Sequence, residues 1–147
     1  MHPDRIVERL ASERWTAGII GLGYVGLPLA MTASRAGLDV IGFDVAADRV
    51  AALSAGHSHI DDVDDVELSA ALEAGARFTS NEEDLAQADA IFIAVPSPLG
   101  RNRQPDMSYI EAAAGTVSRI ARAGQLIALE STTYPGTTDE HLVPAVA

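Results

Sequence analysis

Three glycines near the start of the chain have the spacing G-x-G-x-x-G: Gly21, Gly23 and Gly26. A short apolar run, residues 16–20, precedes them, and a helix-competent segment follows. In a strand–turn–helix unit the first glycine permits a tight turn, the second lets the backbone approach a phosphate, and the third lets the helix pack against the strand. The N–H groups that begin such a helix bind anions. The pattern therefore predicts a site for a diphosphate, to which we expect the N–H groups of Tyr24 and Val25 to point while their side chains pack.

The glycine spacing alone is a weak signal, because Gly-rich turns are common. It becomes specific when an acidic residue lies about 20 residues further on, at the end of the next strand. Asp44 ends a second apolar run and meets this condition. A carboxylate there accepts hydrogen bonds from ribose hydroxyls and repels a 2′-phosphate, so Asp44 favours NAD over NADP. The other role for Asp44 is to cap the helix that begins near Ala46, and both roles are compatible.

Two later segments also follow apolar strands and end at the edge where the ligands of parallel sheets bind. The first contains Val95, Pro96 and Ser97, and the second contains Glu130, Ser131 and Thr132. We expect both segments to contribute to the cofactor site. For the hydroxyl groups of the second segment the other interpretation is local backbone bonding in the turn before Pro135.

Strands and helices alternate along the chain. The pattern predicts strands at 16–20, 40–43, 77–79, 90–95 and 126–129, helices at 4–12, 24–36, 46–53, 66–74 and 107–122, and a helical turn at 82–86. Such alternation indicates a parallel sheet with helices on both faces, in the strand order 3-2-1-4-5. We therefore expect one doubly wound, Rossmann-like α/β domain over residues 1–147, with residues 1–14 as a helical extension. A capping box at Thr137 and Glu140 predicts a last helix, and a strand beyond it is expected in a longer enzyme.

Composition excludes several classes of function. The chain has 147 residues, is 48% apolar and carries a formal net charge of −11, with ten arginines and no lysine. This balance argues against nucleic acid or an anionic membrane as a partner. There is no cysteine, so disulfides and thiolate metal sites are excluded within the chain. No signal peptide or membrane span is recognised, which predicts a cytoplasmic location.

The stretch between residues 56 and 65 contains both histidine and aspartate. Four aspartates, Asp61, Asp62, Asp64 and Asp65, lack the glycine and the distal glutamate of a calcium loop. We expect a solvated acidic loop there. His57 and His59 have no third ligand nearby in sequence, so we expect surface histidines and no metal. Elsewhere, Arg101 and Arg103 contact either a substrate diphosphate or only solvent, and the sequence leaves both open.

Five motifs in order resemble the N-terminal domain of the UDP-glucose/GDP-mannose dehydrogenase family. They read G-L-G-Y-V-G-L-P from Gly21, D-V-A-A-D-R-V from Asp44, V-P-S-P-L from Val95, P-D-M-S-Y-I from Pro105 and E-S-T-T-Y-P-G-T-T from Glu130. The last three are most similar to the branch that acts on UDP-N-acetylhexosamines. The resemblance covers the chain from about residue 15 to its end.

The resemblance implies an NAD-dependent oxidation of the 6-hydroxyl of a UDP-sugar to the uronic acid, in a homo-oligomeric enzyme. It also implies a basic residue near the adenosine ribose at Arg49, a nicotinamide-ribose contact at Ser97 and a water-orienting hydroxyl at Thr132. A solvated arginine is the equal alternative at Arg49. The family's catalytic cysteine and lysine have no counterpart here. We therefore expect this chain to be a cofactor-binding fragment that is not catalytic by itself.

Two other functions remain open at this point. One is the cofactor domain of another NAD-dependent dehydrogenase with the same glycine turn, of the 6-phosphogluconate or hydroxyacyl-CoA type. The E-S-T-T-Y-P-G-T-T stretch from Glu130 argues against it. The other is a free-standing nucleotide-binding module.

Overall fold

The structure, a computed structural model, describes residues 7–8, 10–11, 14–96 and 106–130. Its elements are β1 (Thr16–Ile20), α1 (Gly26–Arg35), β2 (Asp39–Phe43), α2 (Ala47–Ser54), α3 (Asp65–Glu73), β3 (Arg77–Thr79), a 3₁₀ helix (Glu82–Gln87), β4 (Ala90–Ile93), α4 (Ser108–Ile120) and β5 (Leu126–Leu129). Val7, Glu8, Leu10 and Ala11 are helical, in the predicted N-terminal extension. The helix predicted from Thr137 lies outside the described residues.

The five strands form one parallel sheet in the order β3-β2-β1-β4-β5, as predicted. β1 is central, and its last residue, Ile20, is in register with Phe43 of β2 and Ile93 of β4. The carboxyl ends of these three strands therefore lie side by side. We call this side of the sheet the carboxyl edge, and the opposite side, where β1 begins at Thr16, the amino edge.

Two apolar clusters cover the two faces of the sheet. Ile19 of β1 belongs to one cluster, with buried side chains from α1, α2 and α3. Its neighbour Ile20 belongs to the other, with Val117 and further buried residues of α4. Consecutive strand residues point to opposite faces, and full burial of one such side chain contributes about 1.5–3 kcal/mol. The predicted doubly wound α/β architecture is thus confirmed.

The ends of several elements differ from the prediction by one or two residues. α1 begins at Gly26, not at residue 24, and Val25 is its N-cap; in the turn before it, Leu27 N–H donates to Gly23 O at 3.1 Å. α3 begins at Asp65 because Asp64 is its N-cap and accepts from Glu67 N at 2.7 Å. β4 ends at Ile93, where its neighbours β1 and β5 also end.

Side chains complete the hydrogen bonding of the amino edge. Asp89 Oδ2 accepts from Thr16 N–H at 2.9 Å. Arg122 donates to Ala86 O at 2.8 Å and to Ala88 O at 3.1 Å, and Gln125 Nε2 also donates to Ala88 O, at 2.8 Å. In the part of the chain that the structure describes, none of the helices has the length and apolar character that crossing a bilayer requires.

Candidate functional site

The glycine turn joins β1 to α1 at the carboxyl edge, and two of its glycines are required by the protein itself. Gly21 has φ +96°, and a Cβ there would lie 2.8 Å from Ala94 O. A Cβ on Gly26 would overlap the carbonyl oxygen of Gly21. Positive φ favours glycine over residues with a side chain, and the second contact leaves no room for one. These two glycines therefore place the start of α1 directly against the end of β1.

Gly23 differs from the other two. A Cβ on Gly23 would meet no protein atom within 4 Å, and its φ is not in the left-handed region. The residue lines a cavity above the turn. The described protein therefore does not itself require glycine here, and the open space beside Gly23 would let a ligand approach the backbone closely.

The same turn has backbone donors without acceptors. Among the described residues, the N–H groups of Gly23, Tyr24, Val25 and Gly26 make no hydrogen bond. Val25, the N-cap of α1, supplies no side-chain cap. Free N–H groups and the positive end of the helix dipole together suit an anion. The turn therefore fits the diphosphate of a dinucleotide, both in its donors and in the space beside Gly23.

Asp44 lies directly after β2, and its side chain connects the glycine turn to α2. It is only 7% exposed. Its Oδ2 accepts from Leu22 N–H at 3.0 Å and its Oδ1 accepts from Ala46 N–H at 2.9 Å. The N-cap of α2 is Ala46, which has no side-chain cap, so Asp44 bonds just ahead of the helix without being its N-cap.

Arg49 makes the weakest of the contacts to this carboxylate. Its Nη1 lies 3.4 Å from Asp44 Oδ2, and its side chain is 40% exposed. A carboxylate has about four acceptor positions, and backbone and arginine donors use three of them. A ribose diol donates two hydrogen bonds, so one hydroxyl would take the remaining position and the other would displace Arg49.

Two cavities meet at Asp44 and Arg49. The first, of about 340 Å³, is lined mostly by apolar groups and lies between the end of β2 and one face of α4. The second, of about 510 Å³, lies over the glycine turn. Ligand sites commonly measure about 300–1,000 Å³. An apolar cavity suits a nucleobase and the turn suits phosphates, with the carboxylate of Asp44 between them.

The structure brings most of the predicted site residues together. The walls of the two cavities include Gly21, Gly23, Tyr24, Val25, Asp44, Arg49, Val95 and Pro96. Glu130 is exposed at the end of β5 and lines neither cavity as described, although its N–H donates to Ile93 O at 2.8 Å. Ser97, Arg101, Arg103, Ser131 and Thr132 lie outside the described residues.

One prediction about side chains near the turn is wrong. The side chains of Tyr24 and Val25 do not pack, since these residues are 75% and 53% exposed. The acidic loop is solvated as predicted, with Asp61, Asp62, Asp64 and Asp65 all exposed. Within it, Asp64 caps α3 and Asp65 Oδ1 accepts from Ser58 N–H at 2.8 Å. Across the described ranges, no group of three or more His, Cys, Asp and Glu side chains is placed to hold a metal ion.

Two residues of this region have no role predicted from the sequence, and the third, His59, is predicted to be a surface histidine. His59 is exposed as predicted, but the contact that it makes is not predicted. Tyr109 and Thr116 line the first cavity from α4. Their helical spacing relative to Ala112 and Ala113, which also line it, was available in the sequence as a signal. His59 Nε2 lies 2.7 Å from Leu22 O, inside the glycine turn. Nothing local in the sequence indicates this contact, because it joins a loop to a distant turn.

A parallel sheet in this order, a glycine turn after β1 and an acidic residue after β2 define a dinucleotide-binding domain of the Rossmann type. The chain belongs to the UDP-glucose/GDP-mannose dehydrogenase family: the model of that family's NAD binding domain matches residues 16–147. The predicted resemblance and the predicted cofactor, NAD, are thereby confirmed. The match also favours this family over the other dehydrogenase types considered above.

Named relatives agree with this assignment. The chain is 37% identical over 128 residues to the UDP-N-acetyl-D-glucosamine 6-dehydrogenase of Pseudomonas aeruginosa, covering 87% of this chain and 30% of that protein. Among solved structures, it is similar to a UDP-D-ManNAc dehydrogenase from Pyrococcus horikoshii (34% identity, TM-score 0.83, covering 89% of this chain and 32% of that one). It is also similar to a UDP-glucose dehydrogenase from Pyrobaculum islandicum (36% identity, TM-score 0.85, covering 92% of this chain and 33% of that one). The chain thus spans about 30% of the length of the curated relatives it matches.

Proposed function

We propose that this chain is the NAD-binding part of a nucleotide-sugar dehydrogenase. The enzyme would oxidise the 6-hydroxyl of a UDP-N-acetylhexosamine, either UDP-N-acetylglucosamine or UDP-N-acetylmannosamine, to the uronic acid. The family match and the names of the relatives support this substrate class. The observation that supports the cofactor role is the glycine turn, where N–H groups without a hydrogen bond to a described residue lie beside Gly23, at which a Cβ would meet no described protein atom within 4 Å.

Each part of the dinucleotide has residues suited to it. The N–H groups from Gly23 to Gly26 would hold the diphosphate, and Asp44 would accept hydrogen bonds from the adenosine ribose. The apolar cavity beside Val45 and Tyr109 would hold the adenine base. Val95 and Pro96, just beyond β4, line both cavities and would contact the dinucleotide where it continues along the carboxyl edge. The roles of Ser97, Glu130, Ser131 and Thr132 stay predictions.

The chain's own residues bind and orient the cofactor. NAD, when bound, supplies the acceptor for a hydride. The cysteine and the lysine that the family resemblance implies do not occur in this chain. Residues outside it would therefore supply the covalent and acid–base chemistry and most of the sugar site. A homo-oligomeric state, the absence of nucleic-acid and membrane partners, and a cytoplasmic location also stay predictions.

Calorimetric titration of the chain with NAD and NADP tests the proposal. NAD should bind at least about tenfold more tightly than NADP, a difference of about 1.4 kcal/mol, because the Asp44 carboxylate repels a 2′-phosphate. Asp44→Asn removes the charge, so it should lower the affinity for NAD and reduce the difference between the NAD and NADP affinities. Asp48→Asn, in the exposed first turn of α2, should change neither the NAD affinity nor that difference. Equal affinities for the two cofactors, or an unchanged ratio in Asp44→Asn, would contradict the role of Asp44.

A turnover assay tests whether this chain alone can catalyse the oxidation. With NAD and UDP-N-acetylglucosamine, the chain alone should produce no NADH absorbance, because it lacks the catalytic side chains. NADH formation above that of a no-enzyme control would refute the proposal that the chemistry resides elsewhere.

A further inference from the structure

His59 lies in the segment between α2 and α3 and contacts the glycine turn. Its Nε2 is 2.7 Å from the carbonyl oxygen of Leu22. A carbonyl oxygen only accepts hydrogen bonds, so Nε2 carries a proton and donates it in both the neutral and the charged imidazole. The residue also lines the cavity above the turn, together with Gly23 and Tyr24.

Leu22 is held at three points. Its side chain is fully buried, its N–H donates to Asp44 Oδ2 at 3.0 Å, and its C=O accepts from His59. The C=O of Leu22 and the N–H of Gly23 belong to the same planar trans peptide unit. A bond that fixes this carbonyl therefore also fixes the direction of the Gly23 N–H, one of the donors without an acceptor.

A well-anchored loop presents His59 to the turn. The next residue, Ile60, is buried, as is Val63, and both belong to the same apolar cluster as Leu22. Ser58 N–H donates to Asp65 Oδ1 at 2.8 Å, and Ser58 Oγ lies 3.0 Å from Ile60 O. These contacts hold the backbone on both sides of the histidine, and the exposed ring of His59 is fixed at Nε2 by its bond to Leu22 O.

We propose that His59 is a positioning residue of the diphosphate subsite, acting through Leu22 O on the Gly23 N–H. Because this role rests on the proposed binding of NAD at the glycine turn, it predicts a specific dependence on the ligand. A hydrogen bond to a carbonyl also polarises the N–H of the same peptide unit and strengthens it as a donor. Loss of His59 should therefore weaken ligands that carry a diphosphate, and it should leave adenosine, which has none, nearly unaffected.

The test compares NAD, ADP-ribose and adenosine on the full chain, by calorimetry and, for adenosine, by NMR titration. His59→Ala and His59→Phe both remove the donor, and Phe keeps the bulk of the ring. Each should weaken NAD and ADP-ribose about threefold to tenfold, the value of one net hydrogen bond, and adenosine less than about twofold. His59→Gln, whose amide nitrogen retains a donor at similar reach, should recover most of the affinity.

His57→Ala is the matched control. His57 is in the same loop, its side chain is 73% exposed, and its Nδ1 lies 3.6 Å from Asp65 Oδ2, so its loss should leave all three affinities unchanged. Unchanged NAD affinity in His59→Phe, or equal loss for adenosine and ADP-ribose, would overturn the proposal. Failure of the unsubstituted chain to bind NAD would instead refute the proposed function itself.

Discussion

At the amino edge of the sheet, side chains complete the backbone hydrogen bonds, whereas at the carboxyl edge a row of backbone donors has no partner among the residues that the structure describes. Asp89, Arg122 and Gln125 bond the groups at the first edge. At the second, no acceptor among the described residues serves the N–H groups from Gly23 to Gly26. Both edges belong to the same strands, so the difference comes from the side chains and loops placed at each end.

The two edges of the sheet therefore contribute to different properties: the amino edge to the stability of the fold, and the carboxyl edge to ligand binding. An unpaired buried polar group costs about 1–3 kcal/mol, and the amino edge avoids that cost with its own side chains. At the carboxyl edge the Asp44 side chain accepts from Leu22 N–H, and the N–H groups that follow have no hydrogen-bond acceptor among the described residues. Substitutions at the two edges should therefore have separable consequences.

The largest effect is expected for Gly26→Ala. Its Cβ would overlap Gly21 O, so either α1 or the turn must shift, at a cost of about 1–3 kcal/mol or more. The variant should show a lower melting temperature by circular dichroism and no detectable NAD binding by calorimetry.

Gly115→Ala in α4 is the control for that variant. A Cβ there would lie 3.4 Å from Arg119 Nη1, and the substitution replaces a glycine within a helix by alanine. It should be as stable as the unsubstituted chain or more so, and it should bind NAD normally. Normal NAD binding by Gly26→Ala would show that the turn is not required in this geometry.

Gly23→Ala should separate binding from stability most clearly. A methyl group at Gly23 meets no described protein atom within 4 Å, so the melting temperature should not change. The methyl group would occupy the space beside the diphosphate, and NAD affinity should fall about tenfold to hundredfold, or about 1.4–2.7 kcal/mol. A variant that bound NAD as before would remove the reason given for this glycine.

Asp89→Ala should lower the stability and leave NAD binding unchanged, the reverse of the effect expected for Gly23→Ala. It leaves Thr16 N–H without its acceptor at the amino edge, and the free energy of unfolding in urea should fall by about 1–3 kcal/mol while NAD affinity is kept. Asp39→Asn removes only the exposed pair with Arg14 and should change the stability by less than about 0.5 kcal/mol. A marked loss of NAD affinity in folded Asp89→Ala would mean that the two edges are not independent.

The smallest effect is expected where the 3₁₀ helix meets α4, at the exposed pair of Glu82 and Arg119. Hydrogen bonds from the Arg119 guanidinium lower the pKa of Glu82. Because the pKa of this carboxyl is lower in the folded state, its stabilising contribution is complete above the unfolded value and fades as the pH falls through the folded one. Glu82→Gln should cost about 0.2–1 kcal/mol at pH 7, and urea titrations should show the difference from the parent chain shrinking in acid below 4.5.

The strand order and the central position of the glycine turn were predictable because they follow from local patterns. Apolar runs that alternate with helical spacing determine which segments are buried, and Gly21 and Asp44 follow two of these runs directly. The contact between His59 and Leu22 was not predictable, because it depends on how a loop lies against a distant turn. The exposure of Tyr24 likewise depends on the direction of one turn, which periodicity does not report.

Within the turn, Leu22 is joined to segments that are far apart in the chain. Its amide hydrogen is bonded to a carboxylate that follows β2, and its carbonyl is bonded to a histidine that precedes α3. Deuterium should replace that hydrogen only when these segments separate together, at a rate that reports global opening. A bound dinucleotide at one hundred times its dissociation constant would raise the free energy of opening by about 2.7 kcal/mol and so slow the exchange about a hundredfold. This one amide would therefore record both cooperative unfolding and occupancy of the site.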